Sequence, residues 1–551
     1  MIAQDLNLNA VAFPKLTDEQ LSGFERCSAA MLKRYRDGEY LFQAGDRDFG
    51  FFVVKSGKVE IIDESGDEPR TITIHGPGSF TGDVAHLTGE AVLVSAVARG
   101  DCEVYEIPPQ GLREVINLHP TLGDTILQAF IARRQLLQES GEFAGIRVIG
   151  SRYSSETSRV RDFLARNRIP FTWLDLEANP DVTKLLKQFG VSEADTPVVA
   201  WGSKLVLRNP SDRELAEALG IRRPLEQTTY DLIVVGAGPA GLGASVYAAS
   251  EGLTTVVLES AGPGGQAGRS MRIENYLGFP TGITGSELAE RAAVQARKFG
   301  ARIEVPTQVI RLTFDGTYPT LHIDGGETLT AKCVLIATGA DYRRLSAEGC
   351  ERYEGCGVYY AATPNEAPLC LNAEAVVIGG GNSAGQAAVF LAGLAREVYL
   401  IIRGNDLYAS MSAYLARRIE QTPNITVLMD TTVRAMRGDE HLREIEIENS
   451  ETGAVQILKT AAVFSFIGAE PRTDWLPPEI EKDAKQFVRT GAAVARSSHW
   501  TAHREPYLLE TSRAGVFAAG DVRSESIRRV ASAVGEGAMA VRFVHEYLKS
   551  M

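Results

Sequence analysis

The sequence predicts a multidomain protein: an N-terminal β-barrel or jelly roll, a small α/β domain, and a larger α/β part built from two similar domains, one interrupting the other. Short strands punctuated by glycines fill residues 39–107, and a strand–helix–strand–helix–strand pattern follows over 145–200. Two later apolar strands each run into a glycine-rich turn and a helix, at 236–241 and 379–384. The first pattern is typical of barrels, and the last of doubly wound α/β sheets. At 551 residues the chain is also too long for one core.

Composition and charge exclude several functional classes. The formal net charge is −13 and the chain has no basic tail or stripe, so we expect no nucleic-acid partner. No apolar run reaches the length of a membrane span, and residues 1–13 lack the pattern of a signal peptide. We therefore expect a cytoplasmic protein without membrane insertion. The six cysteines include no Cys-x-x-Cys, so the sequence predicts no metal site.

The N-terminal strands come first along the chain. We predict strands at 40–42, 50–54, 58–62, 71–74 and 102–107, followed by helices at 108–117 and 121–139. Their order, with Val54-x-Ser56-Gly57-x-Val59 and Gly78-Ser79-Phe80-x-Gly82-Asp83, resembles a cyclic-nucleotide-binding domain. We place this domain at residues 1–142.

The segment that binds the cyclic phosphate in that family departs from its pattern here. The resemblance implies a glutamate for the ribose and, about nine residues later, an arginine for the phosphate, where this chain has Asp83 and Val92. A valine supplies no charge-assisted contact, which is worth about 1.5–3 kcal/mol. We therefore expect the fold without cyclic AMP or cyclic GMP binding. A docking or dimerisation module is the alternative, and whether the barrel binds any ligand stays open.

A second module is predicted at residues 143–225. Strands at 145–150, 171–176 and from 196, with helices at 156–167 and 181–190, end in Thr196-Pro197-Val198. This order resembles the thioredoxin/glutaredoxin fold, which implies a cis Thr-Pro bond. The resemblance also implies a Cys-x-x-Cys at the first helix, but the loop at 151–158 contains no cysteine, so thiol–disulfide exchange is excluded there. A structural or partner-recognition role remains, and 210–227 is predicted to be a linker with a short helix.

The first glycine-rich turn follows a strand at 230–235 and precedes a helix at 242–250. Gly236 allows the tight turn, Gly238 lets backbone N–H groups approach a pyrophosphate, and Gly241 lets the helix pack close to the strand. A second strand ends in Glu259, whose carboxylate is placed to accept hydrogen bonds from ribose hydroxyls. This arrangement predicts a dinucleotide site that also includes Pro239 and Ala240.

Residues 229–551 resemble the thioredoxin reductase family. The motifs are Gly262-Pro263-Gly264-Gly265-Gln266-Ala267, Asn275-Tyr276-Leu277-Gly278-Phe279-Pro280, Ala337-Thr338-Gly339 and Gly515–Val522. The resemblance implies bound FAD, with Asp521 on the ribitol and a helix N-terminus near the flavin pyrimidine edge. The further FAD residues it implies are Gly265, Gln266, Asn275, Thr338, Gly339, Gly520, Arg528, Arg529, Val530 and Ala531.

The second glycine-rich turn lies between strands at 375–378 and 397–402, with a helix at 385–393. It predicts a pyridine-nucleotide site formed by Gly379, Gly381, Asn382, Ser383, Ala384 and Arg403. An arginine in place of an acidic residue at the end of the second strand pairs with a 2′-phosphate, which favours NADPH over NADH, with NADH still possible. We place the FAD domain at 226–345 and 468–551, and the NAD(P)H domain at 346–467.

The dithiol of the family is missing. Thioredoxin reductases carry Cys-Ala-Thr-Cys after Gly-Val-x-Tyr, and this chain has Ala361 and Pro364 at the two cysteine positions. Neither residue can supply the thiolate that attacks a disulfide. Hydride transfer to the flavin requires no catalytic side chain, so no catalytic residue is predicted.

Three hypotheses remain open on this basis. The first is an FAD-dependent NAD(P)H oxidoreductase that passes electrons to a small redox protein, a quinone-like molecule or oxygen. The second is a thioredoxin-disulfide reductase that uses other cysteines, such as Cys350 and Cys356. The third is a non-catalytic nucleotide or redox sensor. The resemblance also implies a homodimer, and a rotation between the two dinucleotide-binding domains during catalysis.

Overall fold

The computed structural model describes residues 8–25, 29–47, 49–65, 68–139, 145–179, 182–202, 205–225, 229–316 and 318–551. The chain forms two compact units. Unit 1 comprises residues 1–150, 163–226 and 294–306, and unit 2 comprises 151–162, 227–293 and 307–551. The predicted boundary between 142 and 143 lies outside the described residues, and so does 226, the predicted start of the FAD domain. Among the described helices, none is both long enough and apolar enough to cross a membrane.

Unit 1 opens with an antiparallel sheet in the strand order β1-β5-β3-β4, with β2 also paired to β5. Two apolar clusters form the core beside this sheet, and both include residues of β3 and β5. Its elements are α1 (Leu8–Ala12), α2 (Asp18–Glu25), β1 (Met31–Tyr35), β2 (Tyr40–Phe42), β3 (Phe51–Asp63), β4 (Arg70–His75), α3 (Ala85–Thr88), β5 (Ser95–Ile107), α4 (Pro109–Leu118) and α5 (Pro120–Glu139).

The prediction of two separate strands at 50–54 and 58–62 is wrong, because β3 is continuous through both. Its register with β5 shifts on either side of Ser56, which marks a β-bulge. Gly57 has φ +81°, and a Cβ at this position would lie 2.5 Å from Cβ of Cys102. Gly57 therefore absorbs a bulge inside one strand and does not end it.

The second sheet of unit 1 has the strand order β7-β6-β8-β9, where β6 and β7 are parallel and β8 is antiparallel to both of its neighbours. The Thr196–Pro197 bond is cis. The elements from 146 to 218 are β6 (Ile146–Gly150), α6 (Ser155–Arg166), β7 (Phe171–Asp175), α7 (Val182–Gln188), β8 (Val198–Trp201), β9 (Leu205–Arg208) and α8 (Asp212–Ala218). Residues 155–162 of α6 fall in unit 2. Asp181, the predicted start of α7, lies outside the described residues.

The segment predicted to be a linker from 210 contributes to this module. Strand β9 pairs with β8, and α8 follows it after Asn209 and Pro210. Ser211 caps α8: its side chain accepts the Glu214 N–H, and the Glu214 side chain accepts the Ser211 N–H. This capping box is a helix start signal that explains why the segment is ordered.

Unit 2 contains two doubly wound domains, one inserted into the other, except that residues 294–306 of this part of the chain fall in unit 1. The elements from 229 onward are β10 (Thr229–Val235), α9 (Pro239–Ser250), β11 (Thr255–Leu258), α10 (Gly285–Lys298), β12 (Arg302–Glu304), β13 (Val309–Thr313), β14 (Thr320–Ile323), β15 (Thr328–Ile336), β16 (Ala340–Tyr342), β17 (Val358–Tyr359), α11 (Ala367–Cys370), β18 (Glu374–Ile378), α12 (Asn382–Ala392), β19 (Glu397–Ile401), α13 (Ala413–Glu420), β20 (Ile425–Leu428), β21 (Thr431–Gly438), β22 (Leu442–Asn449), β23 (Val455–Lys459), β24 (Ala462–Ser465), β25 (Ala469–Pro471), β26 (Val516–Ala518) and α14 (Val530–Ser550).

The first domain of unit 2 is built on β11-β10-β15-β14-β13, with β26 added parallel to β15. The second has the parallel order β17-β24-β18-β19-β20 and a separate antiparallel sheet, β21-β22-β23. The chain passes between the domains twice, at β16 and at β25, and these two short strands pair with each other. Both glycine-rich turns therefore lie at the carboxyl ends of parallel strands, where α/β sheets bind ligands.

Candidate functional site

The first glycine-rich turn connects β10 to α9. A Cβ at Gly236, where φ is +105°, would overlap the carbonyl oxygen of Ala337, and a Cβ at Gly241 would overlap the carbonyl oxygen of Gly236. Gly238 is the N-cap of α9, and in the described chain no side chain caps this end. Because Pro239 has no N–H, α9 begins there, three residues before the predicted start. The turn therefore presents uncapped helix N–H groups, which is the arrangement that binds a pyrophosphate.

Glu259 holds this turn in place. It is buried, its Oε2 accepts the Ala237 N–H at 2.8 Å, and its Oε1 accepts the N–H groups of Ala261 at 3.0 Å and Gly262 at 3.3 Å. The sequence predicts a ribose ligand at this position. A carboxylate has about four lone-pair positions, so these bonds leave the same group able to accept from a hydroxyl as well. The structuring role of Glu259 is an addition to the prediction.

Several of the predicted FAD residues converge around this turn. Gly264 N–H donates to the Ala237 carbonyl at 2.8 Å, and a Cβ at Gly238 would meet Cα of Gly265 at 3.9 Å. Gln266 Nε2 donates to the Ala340 carbonyl at 2.6 Å, so its loop lies beside Thr338 and Gly339. Asn275 is exposed, in a loop that is closed by pairing between Ile273 and Ile283.

The second half of this site is formed by β26 and α14. The Gly520 N–H donates to Glu536 Oε2 at 2.7 Å, and a Cβ at Gly520 would lie 3.0 Å from Cβ of Ala240. Burial raises the pKa of Asp521, while the Arg528 guanidinium lowers it. Arg529 is the N-cap of α14. The sequence did not predict Glu536, which also binds Arg523 with Nη2 and Oε1 at 2.6 Å; an Arg and a Glu 13 residues apart follow no helical spacing.

These residues fit a bound FAD. Two helices, α9 and α14, both begin here with no side-chain cap in the described residues, and the turn glycines make space that a Cβ would fill. Arg528, Arg529 and Ala531 are exposed at the start of α14, with Val530 half-buried between them. An anionic pyrophosphate and a polar ribityl chain match helix N-termini and an acidic side chain.

The second glycine-rich turn connects β18 to α12. A Cβ at Gly379, with φ +140°, would lie 2.8 Å from the carbonyl oxygen of Phe466. Helix α12 begins at Asn382, three residues before the predicted start, with Gly381 as its N-cap. Asn382 Oδ1 accepts the Ser412 N–H at 2.7 Å, and Ser383 Oγ accepts from the Tyr342 hydroxyl at 2.8 Å. The turn again exposes helix N–H groups, with Ala384 buried behind them and the exposed Arg403 just beyond the end of β19.

The N-terminal barrel differs from an open nucleotide pocket. Phe42 packs against Phe49 and Phe52, with ring centroids 4.9 and 6.2 Å away, and Val92 is buried in the same cluster. Asp83 Oδ2 accepts from Arg134 Nη2 at 3.0 Å, so its carboxylate is neutralised within the protein. Apolar side chains occupy the space beside the segment expected to hold a cyclic phosphate.

Two known families match separate parts of the chain. Residues 230–537 match the family described as pyridine nucleotide-disulphide oxidoreductase, which is 308 of the 551 residues. The chain belongs to the pyridine nucleotide-disulphide oxidoreductase family. It is an FAD-dependent oxidoreductase with a thioredoxin reductase-like flavoprotein part. Residues 32–119 match the cyclic nucleotide-binding domain.

Similar proteins of this oxidoreductase family include thioredoxin reductases. The Treponema pallidum enzyme is 36% identical over 326 residues, which are 59% of this chain and 99% of the relative. The Bacillus subtilis enzyme is 32% identical over 327 residues, 59% of this chain and 97% of the relative. Among solved structures, Lactococcus lactis thioredoxin reductase has a TM-score of 0.53 at 28% identity, over 58% of this chain and all of that chain. The T. acidophilum thioredoxin reductase has a TM-score of 0.52 at 29% identity, over 59% of this chain and 99% of that chain.

The loop at 361–366 of this pyridine nucleotide-disulphide oxidoreductase is held by hydrogen bonds between two of its own residues. Glu366 Oε2 accepts the Thr363 N–H at 2.8 Å and the Thr363 hydroxyl at 2.7 Å. Ala361 is half-buried and Pro364 is exposed. Burial raises the pKa of Glu366 to about 7; the Thr363 bonds and Arg161 act against this rise, and Asp162 adds to it.

We expect Glu366 to make stability pH-dependent. Because the folded pKa is about 7 and the ordinary value is 4.5, the folded state keeps a proton that the unfolded state releases. The stabilisation is complete below pH 4.5 and is lost as the pH rises to 7. Relative to Glu366→Gln, the wild type should lose on the order of 3 kcal/mol of unfolding free energy over this range. Urea unfolding at pH 4.5, 6 and 8 checks this, and parallel curves for the two proteins would contradict it.

The cysteines predicted as an alternative dithiol are placed as unreactive thiols. Cys350 is buried and Cys356 is half-buried, and both are free. Burial raises the pKa of both thiols. Cys356 Sγ donates to the Arg352 carbonyl at 3.5 Å. A raised pKa keeps a thiol protonated, which is the unreactive form toward disulfides.

Proposed function

We propose that this protein transfers hydride from NADPH to FAD and passes the electrons to an acceptor that is not a disulfide. The observation that carries the proposal is the contrast between two intact nucleotide turns and the absent dithiol. Ala361 and Pro364 stand where the resemblance implies cysteines, and the thiols of Cys350 and Cys356 have raised pKa values. A thioredoxin-disulfide reductase that uses these cysteines is therefore the weaker alternative.

The chain's own residues bind and orient the two nucleotides in this proposal. The N-terminus of α9 binds the FAD pyrophosphate, Glu259 and Asp521 accept from its hydroxyls, and the N-terminus of α14 stabilises negative charge at the pyrimidine edge. The N-terminus of α12 binds the pyrophosphate of the pyridine nucleotide. Bound FAD supplies the hydride chemistry itself. We propose no protein acid, base or nucleophile.

The N-terminal modules extend the proposal. The strand order β7-β6-β8-β9 supports a thioredoxin-like module, and its 151–158 loop contains no cysteine. The aromatic filling beside Val92 supports a cyclic-nucleotide-binding fold that does not take a cyclic nucleotide. We also propose a homodimer, as the resemblance implies, and a cytoplasmic location.

Arg403 is proposed to select NADPH. It is exposed just beyond β19, where a guanidinium can pair with a 2′-phosphate. Replacing it with alanine should raise the KM for NADPH by about 10-fold or more, because a charge-assisted hydrogen bond is worth about 1.5–3 kcal/mol. The KM for NADH should stay within about two-fold, since NADH has no such phosphate. Steady-state kinetics with both nucleotides checks this, and an equal loss with both would contradict it.

Anaerobic stopped-flow absorbance tests the proposed function directly. The purified flavoprotein is mixed with NADPH and, separately, with NADH. We expect fast bleaching of the oxidised flavin band, then reoxidation by quinones or a small redox protein but not by thioredoxin disulfide. Reoxidation by disulfides that is abolished in Cys350→Ser or Cys356→Ser would establish the disulfide reductase instead. Bound FAD that neither nucleotide bleaches would indicate a sensor.

A further inference from the structure

Helix α6 begins with a serine cap in the loop without cysteines. The Ser154 hydroxyl accepts the Thr157 N–H at 3.2 Å, and the Ser158 N–H donates to the Ser154 carbonyl at 3.0 Å. The segment Ser151–Asp162, which contains this cap, belongs to compact unit 2 together with both dinucleotide-binding domains. Its contacts with those domains are therefore contacts inside one unit.

Two contacts fix the start of α6 on the predicted NAD(P)H domain. The Tyr153 ring stacks on His441, with centroids 4.1 Å apart and planes inclined by 16°. Ser155 packs so close to Gly355 that a Cβ there would lie 3.1 Å from Cβ of Ser155. Gly355 comes just before β17, which leads along the chain into the loop at 361–366, and His441 lies between β21 and β22.

Two consecutive residues of α6 then bind both dinucleotide-binding domains. Arg161 is buried, and its Nη2 donates to the Asn365 carbonyl at 3.0 Å. Asp162 Oδ2 accepts from Arg269 Nη2 at 2.7 Å. Asn365 belongs to the predicted NAD(P)H domain and Arg269 to the predicted FAD domain. We refer to these two interactions, Arg161–Asn365 and Asp162–Arg269, as the α6 latch.

We propose that α6 covers the face around the 361–366 loop, and that the α6 latch prevents a separate protein acceptor from docking on this face. A stable protein complex covers about 800 Å² on each partner, so docking at Pro364 would require surface well beyond that residue. The neighbouring Asn365 is already bound by Arg161 of α6. Pro364 itself is exposed, so small molecules still reach the loop. Resting on the proposed function, this inference restricts electron acceptors at this face to small molecules.

Thiol accessibility tests the proposal without relying on catalysis. Pro364→Cys, made together with Cys27→Ser and Cys356→Ser, supplies one exposed thiol on the full-length flavoprotein, because the other cysteines are buried. Its reaction rate is measured with a small disulfide, DTNB, and with a thioredoxin whose single cysteine is activated as the mixed thionitrobenzoate disulfide. We expect the ratio of the rate with activated thioredoxin to the rate with DTNB to be at least about 10-fold lower with the latch intact than with the latch broken.

Charge reversal breaks and restores the latch. Asp162→Arg places two guanidinium groups opposite each other and should raise the ratio. Combining it with Arg269→Asp restores an ion pair of opposite polarity and should return the ratio to its low value. Glu156→Arg is the matched control, since this exposed residue of α6 pairs with Arg159 on the same helix and should leave the ratio unchanged.

The outcomes separate this inference from the proposed function. Equal ratios in the intact and Asp162→Arg proteins, or a swapped pair that fails to restore the low ratio, would overturn the latch. Retained FAD absorbance is required of every variant. If Asp162→Arg loses its flavin, Tyr153→Ala, which removes the stacking on His441, should raise the ratio instead, and an unchanged ratio there overturns the proposal. Flavin reduction by NADPH has no part in these readouts.

Discussion

Replacing Gly537 with alanine is expected to destabilise the FAD domain by about 3 kcal/mol and to strip it of flavin. Gly537 is buried on α14 against α9, and an added Cβ would overlap the carbonyl oxygen of Ala240 and lie 3.0 Å from the backbone nitrogen of Ala244. The helix backbones must move apart, because no flexible side chain can give way. The N-termini of these two helices form the proposed FAD site, so moving them apart should weaken flavin binding as well as the fold. Urea unfolding measures the loss of stability, and the flavin retained after gel filtration measures the loss of binding.

Gly535→Ala is the matched control for this prediction. Gly535 lies on the same helix two residues earlier, and no described atom of the protein comes within 4 Å of a Cβ placed there. Alanine in a helix interior is favoured over glycine by about 0.5–1 kcal/mol, so this variant should be equally or more stable and keep its flavin. If the Gly537→Ala and Gly535→Ala proteins had the same stability and flavin content, α9 and α14 would not be in close backbone contact at Gly537.

Glu510→Gln is expected to cost about 3–5 kcal/mol of unfolding free energy. Glu510 is fully buried, and its two oxygens accept from both terminal nitrogens of Arg504 and from the N–H groups of Tyr507 and Gly515 at 2.6–3.0 Å. A glutamine amide has one acceptor oxygen, so its NH₂ group faces donors and leaves them unpaired. Because Gly515 immediately precedes β26, flavin affinity should fall with stability; urea unfolding and flavin release measure both.

The control for this loss is Glu546→Gln. Glu546 forms an exposed pair with Arg542 one helical turn earlier, with Nε and Oε1 at 2.8 Å. An exposed pair of this kind contributes about 0–1 kcal/mol, so the substitution should change stability little. Similar losses for Glu510→Gln and Glu546→Gln would mean that the Arg504–Glu510 pair is not a buried structural element.

The parts of the fold that repeat a simple pattern could be predicted from the sequence. Strands β10, β11 and β18 are short apolar runs, and the glycine spacing after β10 and β18 indicates where the chain turns into a helix. Helix starts were predicted three residues late at both turns, because Pro239 and Asn382 are weak helix formers in an interior but suit the first turn.

The parts that depend on long-range contacts could not be predicted. The continuity of β3 depends on Gly57 facing Cys102, 45 residues away, and β9 is stabilised by pairing with β8 rather than by a strong apolar pattern. Glu510 and Glu536 are ordinary charged residues in the sequence and become structural only where the fold brings Arg504 and Arg523 to them. The contact of Arg161 with Asn365, 204 residues later, has no local signal at all.

The paired strands β16 and β25 have a mechanical consequence. Every covalent path between the two dinucleotide-binding domains runs through this ribbon, where Asp341 binds Arg472 and Arg343 binds Glu470 at 3.2 Å. Two strands tied side by side resist being pulled apart or slid past each other, yet a two-stranded ribbon twists readily. The ribbon therefore allows one main motion, a rotation of the two domains about its long axis. The rotation angle is set by contacts that reach both domains away from this axis.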